Sequence, residues 1–556
     1  MRTANIKKLA IPAKCFLIGA LLVAMTPDAS SLIVHYYSIH RYLTMLALLG
    51  IWVASFGGAC LAGLAQSLTV RCLWGVSLGL AGFLASSYSA ITKTNIQWDA
   101  LQLILGNTFL ARGVVDTYGQ ELLLPAALNL CLALVVILPP AVPRWKGRWI
   151  AFSPLLPALM IFAVFCATMG DGVSGLPSPF SLLGLLPGFL INGSHPMHNP
   201  VLAEALRDPP AARNILFIVD ESVRGDFIDL NMDQGTTPYL KSMKGSIINF
   251  GIVSSAANCS ASSNSIMRLG ANPASMSGGK DIRANPTIWR YAHQAGFQNI
   301  YIDGQSTGGT LQNNMDEAER KLIDRFIQPG GPLEGRDMAA AGVLTGLLRE
   351  PGRHFVYLNK YGAHFPYQSG YPQDKAVFSP HMVENEELVD RERMVNSYKN
   401  NIHWSVDAFF KKLLPQMNSR DTLIIYTSDH GQNLLDDGIP VTHCRAHRPL
   451  SEEAEVPLFI FPPNEKLSKE FQEAARLNHD RASSFQIFPT ILQLMGYDPK
   501  AVSRSYYSTL FESVTAPVGF ASGGIFGAFG SRPNWNRFRF PSEAPIGGEG
   551  SIAVGK

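Results

Sequence analysis

The stretch Asn214-Ile-Leu-Phe-Ile-Val-Asp220-Glu221-Ser222 decides the fold class of this chain. Its apolar run is continuous rather than alternating, which marks a strand buried on both faces, as in a parallel sheet covered by helices. It ends on Asp220 and Glu221, and open α/β sheets hold ligands outside the carboxyl ends of their strands. Much later, Leu423-Ile-Ile-Tyr-Thr-Ser-Asp429-His430-Gly431 repeats the pattern with Asp429 and His430 at its end. Either stretch alone reads equally well as a strand followed by a capped turn. Together they bring carboxylates and an imidazole to one sheet edge and predict a divalent metal site.

Outward from these strands, the chain beyond Arg213 alternates short apolar runs with amphipathic helices, predicting strands at 214–219, 299–302, 354–358, 422–427 and 457–461. The expected fold is one large α/β domain over 213–556, a mostly parallel sheet flanked by helices, with a less regular tail from about 515.

Upstream the composition changes. The whole chain has 556 residues, 47% hydrophobic and 16% charged, with a net charge of +3, which excludes a disordered protein and a nucleic-acid binder by bulk charge. Residues 10–27, 42–65, 73–91, 121–142 and 149–169 are each apolar over a length that can cross a bilayer. The first is read as an uncleaved anchor, since it lacks a small-residue cleavage site and another span soon follows. Arg2, Lys7 and Lys8 precede the first span with Lys14 near its start, Arg71 lies between the second and third, and Arg144, Lys146 and Arg148 lie between the fourth and fifth. The opposite loops hold Arg41, Lys93 and Arg112. Lys and Arg near span ends stay on the cytoplasmic side, so the N-terminus is expected inside and the α/β domain outside, which in a bacterial cell is the periplasm. The resulting organisation is a five-helix transmembrane domain over 1–170, an interfacial helix at about 94–120, and a linker along the membrane surface over 171–212.

Five of the seven cysteines fall in or beside the spans, where they behave as small hydrophobes. Cys259 and Cys444 remain, and an oxidising compartment would allow them to pair.

Glu221, Asp429 and His430 are expected to converge, with His443 a short loop further on in Val441-Thr-His-Cys444. Two carboxylates and two imidazoles suit Zn²⁺, with Mn²⁺ as the second choice. Asp220 either ligates as well or orients Glu221; neighbours on a strand point to opposite faces, which favours one direct ligand. The third element is Asn258-Cys259-Ser260-Ala261-Ser262-Ser263-Asn264-Ser265-Ile266-Met267-Arg268, which reads as a helix start whose free N–H groups hold an anion. A plain Ser-rich cap is the simpler reading of those residues alone, and a metal site in the same domain favours a nucleophile.

Val219-Asp-Glu-Ser-Val-Arg224, Thr236-Thr-Pro-Tyr-Leu240, the Cys/Ser helix start, Gly362-Ala-His364, Ser428-Asp-His-Gly431 and Phe485-Gln-Ile-Phe-Pro-Thr-Ile-Leu492 together resemble the alkaline phosphatase and sulfatase superfamily. The five spans ahead of them resemble the lipid A phosphoethanolamine transferases. The resemblance implies that Glu221 is the family's metal-binding glutamate, Asp429 and His430 its Asp-His pair, and His443 its later histidine near the metal. It also implies that His364 lies near the incoming phosphate. The nucleophile departs from the pattern. The transferases place Thr within Cys-Gly-Thr, whereas this chain has Cys259-Ser260-Ala261. The sulfatase pattern Cys-x-(Pro/Ala)-x-Arg would select Cys259, but Ser263 stands where that Arg is needed. Ser260 is therefore the preferred nucleophile and Cys259 its rival.

The function so implied is metal-dependent transfer of phosphoethanolamine from phosphatidylethanolamine to a cell-envelope lipid or glycan, lipopolysaccharide among them, through a covalent phospho-enzyme. The expected partners are the phospholipid donor, an amphiphilic or glycan acceptor and the membrane, with no nucleic acid, and the chain is expected to be a monomer. The competing readings are a glycerophosphate transferase using phosphatidylglycerol, a membrane-anchored sulfatase or phosphohydrolase, and a non-catalytic envelope scaffold.

Overall fold

The computed structural model describes residues 10–92, 95–96, 101, 111–141, 148–168, 174–192, 206–305, 311–383, 390–417, 421–439, 441–514, 518–526 and 532–540. The chain divides into two compact units, one over Met1–His195 with Ala528–Ser531 and the other over the remainder.

The first unit is helical: α1 (Ile11–Ala24), α2 (Ala29–Ser38), α3 (Tyr42–Leu64), α4 (Leu68–Thr92), α5 (Ala111–Ile137), α6 (Leu155–Ala167) and α7 (Ser178–Asn192). Four helical stretches, Tyr42–Leu64, Leu68–Ile91, Gly119–Ile137 and Trp149–Ala167, are long and apolar enough to cross a membrane, in agreement with four of the expected spans. The expected first span is instead broken. α1 and α2 meet at a 71° bend and reach spanning length only as a pair, so the count is four, or five with the pair taken as one.

One further expectation is corrected here. Residues 171–212 are not one linker, since 178–192 form α7, whose Phe180, Leu182 and Leu185 are buried in the core of the helical unit. At the other end of that stretch, Arg207 and Asp208 donate backbone N–H groups to the Gly496 carbonyl and Ala211 donates to that of Leu494, so these residues belong to the second unit. The interfacial helix expected at about 94–120 lies mostly outside the described residues, and its last part is the start of α5, continuous with the following span.

The second unit is built on a seven-stranded sheet of β1 (Asn214–Asp220), β2 (Ile248–Ser254), β3 (Gln298–Asp303), β4 (Arg325–Ile327), β5 (His354–Asn359), β6 (Thr422–Ser428) and β7 (Glu455–Phe461), in the order β2-β7-β6-β1-β5-β3-β4. β1, β3, β4, β5 and β6 run parallel, whereas β7 pairs antiparallel with β6 and β2 antiparallel with β7. The five predicted strands are all present, and β2 and β4 are additional.

The continuous apolar runs follow from two buried faces. In β1, Ile215, Phe217 and Val219 join one core while Leu216 and Ile218 join the other. β5 and β6 divide in the same way, with Tyr357 and Ile425 on the first face and Leu358 and Tyr426 on the second. Each such side chain contributes about 1.5–3 kcal/mol by leaving water, so a polar residue in mid-strand would be costly and the first polar residues appear only at the strand ends. Part of the tail expected to be irregular forms a small antiparallel pair, β8 (Gly519–Ser522) with β9 (Asn534–Arg537).

Candidate metal and nucleophile site

β1 and β6 lie side by side in register, with Asp220 opposite Ser428, so their next residues emerge together at the carboxyl edge. The Asp429 N–H continues the ladder by donating to the Asp220 carbonyl at 3.0 Å. Ser222 then turns the backbone into the left-handed region at φ 62°. That turn aims its N–H at Asp429 Oδ1 (3.0 Å) and its hydroxyl at Glu221 Oε1 (2.7 Å). A non-glycine residue held there costs on the order of 1–3 kcal/mol, and both hydrogen bonds help to offset it.

Glu221, Asp429 and His430, all buried, bring ligand atoms within 4.8 Å of one another; among the described residues they are the group able to hold a metal ion. His430 Nδ1 lies 2.7 Å from the Gly431 carbonyl, which can only accept. Nδ1 therefore carries a proton and Nε2 faces the site, the orientation a metal-ligating histidine needs. Two carboxylate oxygens and one imidazole nitrogen are a donor set that zinc accepts, so the residues fit the expected ion.

The electrostatics follow from burial. Burial alone would raise Glu221, but the hydrogen bond and charge of His430 outweigh it and hold the carboxyl far below its usual range. Burial opposes protonation of His430, yet Asp429 and Glu221 lift it to about 9. Asp429 is pushed well above the carboxylate range, by burial first and by the Glu221 charge second. The constellation thus holds protons that a divalent cation would displace.

Ser260 opens the helix Ser260–Leu269, with Cys259 as the residue before its first turn. Its Oγ donates to Glu221 Oε1 at 3.1 Å and lies 3.0 Å from His430 Nε2. Cys259 is bonded to Cys444 in a disulfide with Cα atoms 4.6 Å apart. The Cys444 N–H also donates to the Asn258 carbonyl at 2.8 Å, so the helix start and the loop carrying His443 are tied twice.

Other expected residues sit beside this group. Asp220 is turned away: its Oδ2 accepts from Lys360 Nζ at 2.5 Å and Tyr426 Oη at 2.8 Å, and its Oδ1 from the Glu221 N–H at 3.1 Å. Burial lifts it to about 6 against the pull of Lys360. With these partners Asp220, offered by the sequence as a ligand or as a residue orienting Glu221, stands outside the group of Glu221, Asp429 and His430. His443 stacks on His430 with ring centroids 4.3 Å apart and lies outside the three-residue group. Burial and the charge of His430 hold it well below its usual pKa. His364 packs against Tyr361, with centroids 5.7 Å apart, and its Nδ1 meets the Phe365 carbonyl.

Sequence reasoning missed three contributors. Gln305 Nε2 donates to Glu221 Oε2 at 2.7 Å; it follows the carboxyl end of β3 and was accessible to the same strand-end argument. Lys360, directly after β5, offered that signal too. Asn264, one helical turn beyond Ser260, donates to Asp429 Oδ2 at 3.4 Å and had no distinguishing mark in a Ser/Asn-rich stretch.

A family profile described as sulfatase matches residues 213–497. Among curated proteins the chain is 23% identical over 302 residues to the Kdo(2)-lipid A phosphoethanolamine 7''-transferase of Escherichia coli K12, covering 51% of each chain. It is 25% identical over 302 residues to the phosphatidylethanolamine transferase Mcr-1 of Escherichia coli, covering 51% of this chain and 53% of that protein. The match thus spans about half the length of these relatives. Among solved structures, the integral membrane lipooligosaccharide phosphoethanolamine transferase A of Neisseria meningitidis aligns with a TM-score of 0.62 at 17% identity, covering 90% of this chain and 98% of that one, a likeness of fold. With the sulfatase profile spanning more than half of its 556 residues, the chain belongs to the sulfatase family.

Proposed function

We propose that the chain transfers phosphoethanolamine from phosphatidylethanolamine to an amphiphilic or glycan acceptor of the bacterial envelope, by way of a covalent adduct on Ser260. The observation that carries this reading is the Ser260 hydroxyl, 3.1 Å from Glu221 and 3.0 Å from His430 at a helix start, beside a Cys259 sulfur already used in a disulfide. The names of the two curated relatives support the transferred group and the membrane donor.

Glu221, Asp429 and His430 would hold a zinc ion, with Mn²⁺ as the alternative, and His443 stands against His430. When bound, zinc would lower the pKa of a neighbouring hydroxyl and offset charge on the phosphoryl oxygens. Ser260 directs its proton at Glu221, and its Oγ attacks phosphorus. The Oγ–P bond forms and the P–O bond to diacylglycerol breaks, with the released oxygen taking a proton from His364. In the second step the acceptor oxygen gives its proton to His364 and attacks phosphorus, the Oγ–P bond breaks and Ser260 recovers its proton. N–H groups at the start of the Ser260 helix favour the anionic adduct.

The proposed location is the inner membrane, with the α/β unit in the periplasm. A Cys259–Cys444 disulfide suits that oxidising compartment. Mass spectrometry of envelope lipids and glycans from cells with and without the gene tests the reading. Loss of a phosphoethanolamine-bearing species on deletion is expected; loss of a glycerophosphate-bearing species instead, or no change, would overturn it.

A further inference from the structure

Asn264 lies at the centre of a buried chain of hydrogen bonds that joins the nucleophile helix to the metal group. Its Nδ2 donates to the Ser260 carbonyl at 3.0 Å and to Asp429 Oδ2 at 3.4 Å. Its Oδ1 accepts from the Tyr357 hydroxyl at 2.6 Å. Asn264 and Tyr357 are both 0% exposed. The Ser260 carbonyl can only accept, so the amide nitrogen must face it, and Tyr357 locks that orientation from the other side. Asp429 Oδ1 is already engaged by the N–H groups of Ser222 and His430, at 3.0 and 2.8 Å, and Asn264 reaches the second oxygen.

We infer that Asn264, oriented by Tyr357, is a positioning residue that sets the rotation of the Asp429 carboxylate for metal binding and fixes Ser260 relative to it. The inference rests on the metal site proposed above. Asn264→Asp has nearly the same shape but turns an oxygen toward two acceptors, so it should misdirect Asp429. Tyr357→Phe keeps the ring, which packs edge-on against Phe217 at 5.1 Å, and removes the hydroxyl that locks the amide.

The test is the zinc affinity of the full-length chain in detergent, measured by competition with a chromogenic chelator, with thermal melting of each zinc-free protein alongside. Partners of metal ligands are typically worth about 10–100-fold in metal affinity, so Asn264→Asp should weaken zinc binding by about that factor. Tyr357→Phe should weaken it in the same direction by less, with the zinc-free melting temperature of that variant close to the unsubstituted chain. Zinc affinity in Asn264→Asp within about twofold of the unsubstituted chain would overturn the inference, as would a loss that merely follows the zinc-free melting temperature. Should Asn264→Asp fail to fold, Tyr357→Phe decides by the same affinity. An unsubstituted chain that takes up no zinc would refute the metal site itself, a result distinct from any difference between variants.

Discussion

At Gly362 the backbone passes so close to the site that a side chain has no room. An added Cβ would lie 2.2 Å from Asp220 Oδ1 and 2.7 Å from both the N and O of Glu221, at a φ of +57°. The left-handed conformation alone costs an ordinary residue roughly 1–2 kcal/mol, and two of the three collisions are with backbone that cannot swing aside. Gly362→Ala is therefore expected to lower the melting temperature of the chain and to reduce its zinc content, both measurable on purified protein; unchanged metal content would show that the Asp220–Glu221 turn tolerates displacement. The residue scale is also where sequence reasoning met its limit. Glu221, Asp429 and His430 were legible because a strand buried on both faces tolerates polar side chains only where it leaves the core. The choice between Ser260 and Cys259 was legible only as a preference, since it depends on which residue the helix start turns toward the carboxylates and on a partner 185 residues away. The place of Asp220 was open in the sequence for a related reason: Lys360 and Tyr426, remote in sequence, claim its carboxylate.

At the scale of elements, composition misled once and patterning failed twice. The stretch containing α7 is rich in Gly and Pro, which in a soluble chain marks a linker, but here Gly184 is a packing residue. A Cβ on Gly184 would stand 2.5 Å from Ile161 Cγ2 of α6 and 3.1 Å from the Ala158 carbonyl, so glycine lets the two helices approach. Gly184→Val should destabilise the helical unit by about 1–3 kcal/mol through overpacking. Gly57→Ala, at a glycine with nothing within 4 Å, should leave it nearly unchanged. Thermal melting in detergent distinguishes the two, and equal effects would contradict the packing role. β2 escaped notice because Gly251, at φ +78°, sits within a register shift between Asn249 and Ile252 that breaks the apolar run. β4 is three half-buried residues at a sheet edge, too short for any periodicity. Lys14 donates to the Val136 carbonyl at 3.1 Å, while Arg71 donates to those of Ala65 and Ile137 at 2.7 and 2.9 Å. The start of α1, the end of α3, the start of α4 and the end of α5 therefore lie at one end of the helical unit.

For the whole molecule, the two units answer different parts of the proposed task. The helical unit carries the apolar surface that a lipid-embedded chain needs, and the α/β unit carries a buried group of two carboxylates and an imidazole with a serine hydroxyl on it. The sulfatase family match covers the whole of the seven-stranded sheet. The proposed chemistry depends on the Ser260 hydroxyl beside Glu221 and His430. Peptide mass spectrometry after incubating the full-length chain with phosphatidylethanolamine in detergent, without acceptor, tests it most directly. The expected result is a phosphoethanolamine adduct on Ser260, absent from Ser260→Ala, with the Cys259–Cys444 disulfide intact in both. An adduct on Cys259, or full transfer by Ser260→Ala, would contradict the role given to Ser260.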